Sequence, residues 1–116
     1  MEKFRDTLLA LSDPTRLRAL ALMAEEGEVC VCELVSALDE VQPKISRHLA
    51  VLRDAGLVTT RKDARWIHHT IAPDLDKWAK DAIKAAVAGV SAEPIHQKDR
   101  TRLKKMTRRP PRNKVA

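Results

Sequence analysis

Cys30 and Cys32, one residue apart, are the only thiols in this 116-residue chain and its sharpest chemical feature. Thiolates are the soft donors that thiol-seeking ions select. The pair stands where a helix is expected to begin, and there the dipole and the free N–H groups favour the ionised sulfur. Cys30 falls where a capping Ser or Thr is preferred, with Glu33 three positions on, the pattern of a capping box. Side chains at i and i+2 of a regular helix diverge by about 200°. One small ion is therefore expected to meet both sulfurs only if the first turn deforms and Cys30 leaves its cap. A disulfide would close a very small ring, so reactive thiols or ligands are the expected state. Two cysteines acting as small apolar fillers are the plainer alternative.

A second set of side chains could grip nucleic acid. Gln42, Lys44, Ser46 and Arg47 lie toward the start and outer side of a helical stretch. Gln can pair with adenine, Lys or Arg with guanine, and Ser with a phosphate. Arg61, Lys62 and Arg65 cluster near a hairpin tip, where cations could lie on phosphates or in a minor groove. Either set alone also describes a solvated surface. His48 is expected to pack rather than touch a base. His68 and His69 are expected to be structural, since neighbouring strand residues point to opposite faces.

These groups need elements to position them. Phe4, Leu8 and Leu11 have helical spacing over residues 2–11. Asp13-Pro14 is a cap followed by a proline at the first helical position, and Gly27 ends that second helix. Residues 28–38 read as a third helix, Asp39-Glu40-Val41 as a turn, and residues 42–55 as a fourth helix. Gly56-Leu57 resembles a Schellman stop. Residues 57–62 and 65–71 read as a hairpin with a loop over Lys62 to Arg65, because Asp63-Ala64 lacks the glycine of a tight turn. Helix resumes at Pro73, with Leu75, Trp78, Ala79, Ala82, Ile83, Ala86 and Val90 as one apolar stripe. Two helices joined by a short turn and followed by a two-stranded wing make a winged helix-turn-helix, mainly α with a small β-hairpin.

Charge divides the chain. Residues 1–90 carry 13 Lys+Arg against 14 Asp+Glu, while residues 91–116 carry nine against two, which together give the formal +6. The basic balance thus belongs to the end of the chain and is no proof of nucleic-acid binding by the rest. Residues 1–90 are read as a DNA-binding and dimerisation domain, and residues 91–116 as a flexible basic tail. No apolar run approaches the roughly 20 residues of a membrane span, and no signal-peptide core follows Met1, so a cytoplasmic protein is expected.

Several of these runs together resemble the ArsR family of metalloid-responsive repressors. They are Leu11-Ser-Asp-Pro-Thr-Arg-Leu, Val29-Cys-Val-Cys-Glu-Leu, residues 42–58 from Gln42-Pro-Lys-Ile-Ser-Arg-His to Gly56-Leu-Val, and Arg61-Lys-Asp-Ala-Arg-Trp. The likeness covers residues 3 to about 85. It implies a homodimer that represses a resistance operon and leaves operator DNA when As(III) or Sb(III) binds Cys30 and Cys32. No cofactor for folding is implied. Where the family often has a third cysteine this chain has Val35, so a third ligand would come from outside. Relatives that bind zinc or cadmium through the last helix use His with Asp or Glu. Asp74, Asp76 and Asp81 lack a histidine partner, and that site is not carried over.

Dimerisation is also expected on physical grounds. A small core is not expected to hide both the Phe4/Leu8/Leu11 stripe and the long stripe from Leu75 to Val90, and a two-fold pairing of first and last helices would cover them. Two other functions compete: a thiol redox-sensing repressor, and a constitutive DNA-architectural protein with a dominant basic tail. No base–nucleophile set or phosphate-cradling loop argues for an enzyme.

Overall fold

The structure, a computed structural model, describes residues 1–110. Its elements run α1 (Glu2–Ala10), α2 (Pro14–Glu26), β1 (Val29–Cys30), α3 (Val31–Leu38), α4 (Gln42–Asp54), β2 (Val58–Asp63), β3 (Trp66–Ile71), α5 (Lys77–Ser91) and α6 (Pro94–Lys105). The three strands form an antiparallel sheet in the order β1-β3-β2. This is the winged helix-turn-helix expected from the sequence, with α3 and α4 as the helix pair and β2–β3 as the wing. Among the described residues no helix is long and apolar enough to cross a membrane.

Local chemistry sets the boundaries. The Asp13 carboxylate accepts the Arg16 N–H at 3.0 Å, and Gly27, at φ +83°, closes α2 with its N–H on Met23 O at 2.9 Å. At the end of α4, Leu57 N–H reaches Leu52 O at 3.0 Å and Gly56 N–H reaches Arg53 O at 2.9 Å. Gly56 takes φ +77°, completing the Schellman stop that its sequence suggested.

Helix α2 is the hub. Five consecutive residues, Ala19 to Met23, are buried, so almost every side of that turn meets another element. It packs on α3 and α4 on the reader side and on α5 and α6 elsewhere. Leu34, Leu38, Ile45, Leu49 and Leu52 complete the core. This arrangement corrects part of the predicted dimer surface. Leu11, Ala79 and Ile83 are buried within the chain's own core, and Leu75 and Ala82 lean on it. A helix buried all round can cover more than one amphipathic partner, which the stripe argument overlooked. Phe4 and Leu8 remain 45% and 46% exposed, and Trp78 and Ala86 are half-buried. The Phe4 and Trp78 rings meet at 5.1 Å.

Four further expectations are overturned. Val29 and Cys30 are strand, paired with His69 and His68, so α3 starts at Val31. Pro73 lies in a turn, and α5 begins after Asp76. The wing closes through Ala64-Arg65 alone, because Asp63 pairs with Trp66. Ala64 therefore adopts φ +53°, the left-handed region a tight turn demands.

The fourth concerns the C-terminal stretch. Rather than lacking fixed structure, residues 94–105 form α6, packed on α3. Its buried face holds His96, Asp99 and Leu103, so ion pairs fix it more than apolar periodicity does. Asp99, fully buried, accepts from Arg18 Nε at 2.9 Å and Nη2 at 2.8 Å, and from Arg102 Nη2 at 3.0 Å. Residues 111–116 of the expected tail lie outside the described residues.

The wing turn yields a stability prediction. A left-handed conformation costs an L-residue about 1–2 kcal/mol, and glycine avoids most of this at some loss of chain entropy. Ala64→Gly should therefore stabilise the fold by about 1 kcal/mol in urea unfolding. A destabilised variant would mean that the turn is not held as described.

Candidate thiol centre and nucleic-acid interface

Cys30 joins the end of β1 to the start of α3. Its backbone is extended (φ −93°, ψ 166°), which lifts it off the helical track. The side chain accepts the Glu33 N–H at 3.4 Å, while Glu33 Oε1 accepts the Cys30 N–H at 3.0 Å. The predicted capping box is complete, with sulfur in place of a hydroxyl. Cys32 follows in the first turn and is exposed.

One expectation fails here. The structure joins Cys30 and Cys32 in a disulfide, with Cα atoms 5.4 Å apart, where free thiols were expected. It also shows that the sulfurs meet while Cys30 still caps α3. The divergence of i and i+2 applies only when both residues are helical, and Cys30 is not. The turn therefore presents two converging sulfurs without unwinding, and reduction would leave a chelating dithiol.

Beside them lies a pocket of about 360 Å³ whose lining includes Cys30, Cys32, Val35, Gln42, Arg65 and Trp66. The sulfurs thus share a cavity with the first residue of α4 and with the wing tip. Val35 supplies an apolar wall, and the sequence contains no third cysteine. Soft donors in a mostly apolar niche fit a small thiol-seeking ion whose remaining coordination comes from solvent or an external thiol.

The basic and polar residues separate into two groups. Gln42, Ser46 and Arg47 are exposed at the start and on the outer side of α4, and Lys62 and Arg65 are exposed on the wing. Arg65 stacks at 5.4 Å from the Trp66 ring. Lys44 instead pairs with Glu40 at 3.0 Å. Arg61 is half-buried and reaches back to Glu28 at 2.7 Å, and the hydrogen bond to that carboxylate raises the guanidinium pKa above its ordinary value. Both cations are therefore committed within the chain.

The histidines serve the scaffold. His48 is half-buried, 3.1 Å from Arg16 Nη1. His69 is buried with Nε2 3.1 Å from Arg53 Nη1; burial first, and the Arg53 charge second, lower its pKa to about 4. It stays neutral near pH 7. His68 is buried with Glu28 and Asp63 each 3.9 Å from a ring nitrogen. Of the acids not carried over, Asp76 pairs with Lys3 and Asp81 with Lys77.

Sequence reasoning missed the cations that hold α3. Arg102 Nε donates to Ala37 O at 2.7 Å, and Arg18 Nη2 to Leu38 O at 3.1 Å. Arg109 Nε donates to Glu33 Oε2 at 2.7 Å. The available signal was Asp99, a lone acid amid a basic run, which is the kind of residue that organises arginines.

Comparison with known proteins agrees with this architecture. Residues 13–60 match the family described as "Bacterial regulatory protein, arsR family". The arsenical resistance operon repressor of Escherichia coli K12 is 50% identical over 76 residues, 66% of this chain and 65% of that protein's length. The arsenic resistance transcriptional regulator ArsR2 of Pseudomonas putida is 41% identical over 110 residues, covering 95% of this chain and 94% of its own. Among solved structures, reduced HlyU from Vibrio cholerae superposes with a TM-score of 0.67 at 32% identity, covering 79% of this chain and 92% of that one.

Proposed function

This chain belongs to the arsR family of bacterial regulatory proteins, and from that premise we propose that it represses a metalloid-resistance operon and leaves its operator when As(III) or Sb(III) binds the reduced Cys30 and Cys32. The observation carrying this reading is the shared pocket, whose lining includes both cysteines together with Gln42 of α4 and Arg65 of the wing. An ion held there alters the surroundings of two groups poised to face DNA. If inducer and operator favour different arrangements of this pocket, each weakens the other by the same factor.

In this reading Gln42, Ser46 and Arg47 enter the major groove, while Lys62 and Arg65 grip phosphates beside it. Lys44 and Arg61 contribute to DNA only by exchanging their carboxylate partners for phosphate. The functional unit is a homodimer. The exposed Phe4, Leu8 and Leu9 of α1, joined by Met1 just before it, form an apolar patch that a two-fold partner would cover. Such a dimer would set the two α4 helices about 34–36 Å apart, one turn of DNA.

The test is fluorescence anisotropy on an operator duplex recovered by in vitro selection, with reduced protein and rising arsenite. Release at submillimolar arsenite is expected; unchanged affinity would sink the inducer reading. The disulfide favours one second reading, a repressor that senses oxidants through the same pair. Release by peroxide with indifference to arsenite would establish that reading instead.

A further inference from the structure

Glu33 stands between the thiol pair and the C-terminal segment. Its carboxylate is fully buried, with one oxygen on the Cys30 N–H at 3.0 Å and the other on Arg109 Nε at 2.7 Å. Arg109 Nη2 also donates to Glu26 Oε1 at 2.5 Å, on the last residue of α2. One guanidinium therefore spans the end of α2 and the first turn of α3, and meets the thiol centre through a single intervening side chain. The segment that carries it is anchored: Leu103 is buried in the core, Met106 packs against it, and Pro110 is buried. A buried carboxylate demands charge-assisted partners, and the planar guanidinium suits two acceptors at once.

We propose that Arg109 is a positioning residue of the thiol site, whose grip on Glu33 holds the capping turn in the form that brings the Cys30 and Cys32 sulfurs together. The proposal deepens the reading above, since the same turn would receive the metalloid, but it does not need a metalloid to be the inducer. Arg109 acts through Glu33, which caps with its side chain and returns its own N–H to Cys30 Sγ. Loosening that carboxylate lets the cap fray, and the two sulfurs then spend less time facing each other.

The experiment equilibrates the full chain with glutathione buffers, then alkylates and weighs it. In the exchange the two cysteine thiols become the Cys30–Cys32 disulfide, and one oxidised glutathione becomes two reduced molecules. Arg109→Ala should move the midpoint about tenfold toward the dithiol, about 30 mV for this two-electron couple. Arg109→Lys should recover most of the shift by restoring a cation to Glu33, and Glu26→Gln, which weakens the other arm and leaves the Glu33 contact in place, should move it least. Should Arg109→Ala lose helix by circular dichroism, Arg109→Gln is the milder variant, expected to shift in the same direction. A midpoint unchanged in both neutral variants overturns the proposal, as do equal shifts in all the variants, which would mean general loosening. Indifference of the wild-type operator complex to arsenite would overturn the inducer reading while leaving this result standing.

Discussion

The protein carrying both Cys30→Ser and Cys32→Ser should keep its operator at arsenite concentrations about 100-fold above those that release the wild type, the upper part of the usual coupling range. The substitution is chosen to separate chemistry from folding. Serine is a better N-cap than cysteine, and Ser at position 30 with Glu33 would form an ordinary capping box, so α3 should keep its start. What disappears is the pair of soft donors, which hydroxyls do not replace. Operator affinity without arsenite should be nearly unchanged, because neither sulfur belongs to the outer face of α4. The measurement is the arsenite concentration at half-release from the labelled operator. A double variant released at the wild-type concentration would place the sensor elsewhere in the chain.

The second large effect concerns stability. Asp99→Ala should cost about 3–5 kcal/mol, the range for removing one partner of a buried pair. Asp99 takes three hydrogen bonds, two from Arg18 and one from Arg102. The same hydrogen bond with Asp99, and then its charge, raise the Arg18 pKa above its ordinary value. Both arginines also donate to the last carbonyls of α3, Ala37 O and Leu38 O. Removing the carboxylate leaves two crowded cations and loosens the end of α3. Against a typical total stability of about 5–15 kcal/mol, urea unfolding will register this plainly. A change under about 1 kcal/mol would show that water substitutes for Asp99 and that α6 adds little to the fold.

Much of this architecture is written in local signals. Asp13-Pro14, the stop at Gly56-Leu57 and the pairing of Cys30 with Glu33 are short-range rules, and the structure obeys each of them. Where tertiary context decides, the sequence misleads. Val29-Cys30 looks like the start of a helix until β3 offers it a partner. Ala64 accepts a strained turn because the pairing of Asp63 with Trp66 leaves two residues to close the wing. Helix α6 was invisible to an apolar count because Asp99 and the His96–Glu25 pair hold much of its inner face. The close spacing of Cys30 and Cys32 was legible in the sequence, but the nearness of the pair to Gln42 and Arg65 was not, since that depends on where the wing lies relative to α4.

Cys30 belongs to two elements at once, as strand partner of His68 and as the cap of α3. Its backbone therefore resembles a pivot with two arms. A displacement of the Cys30 backbone therefore bears on both the α3 cap and the β1–β3 ladder, and the far end of β3 carries Trp66 beside Arg65. In the proposed function, a guest the size of one atom held at the sulfurs would thereby bear on the tip of the wing as well as on the root of the reading helix.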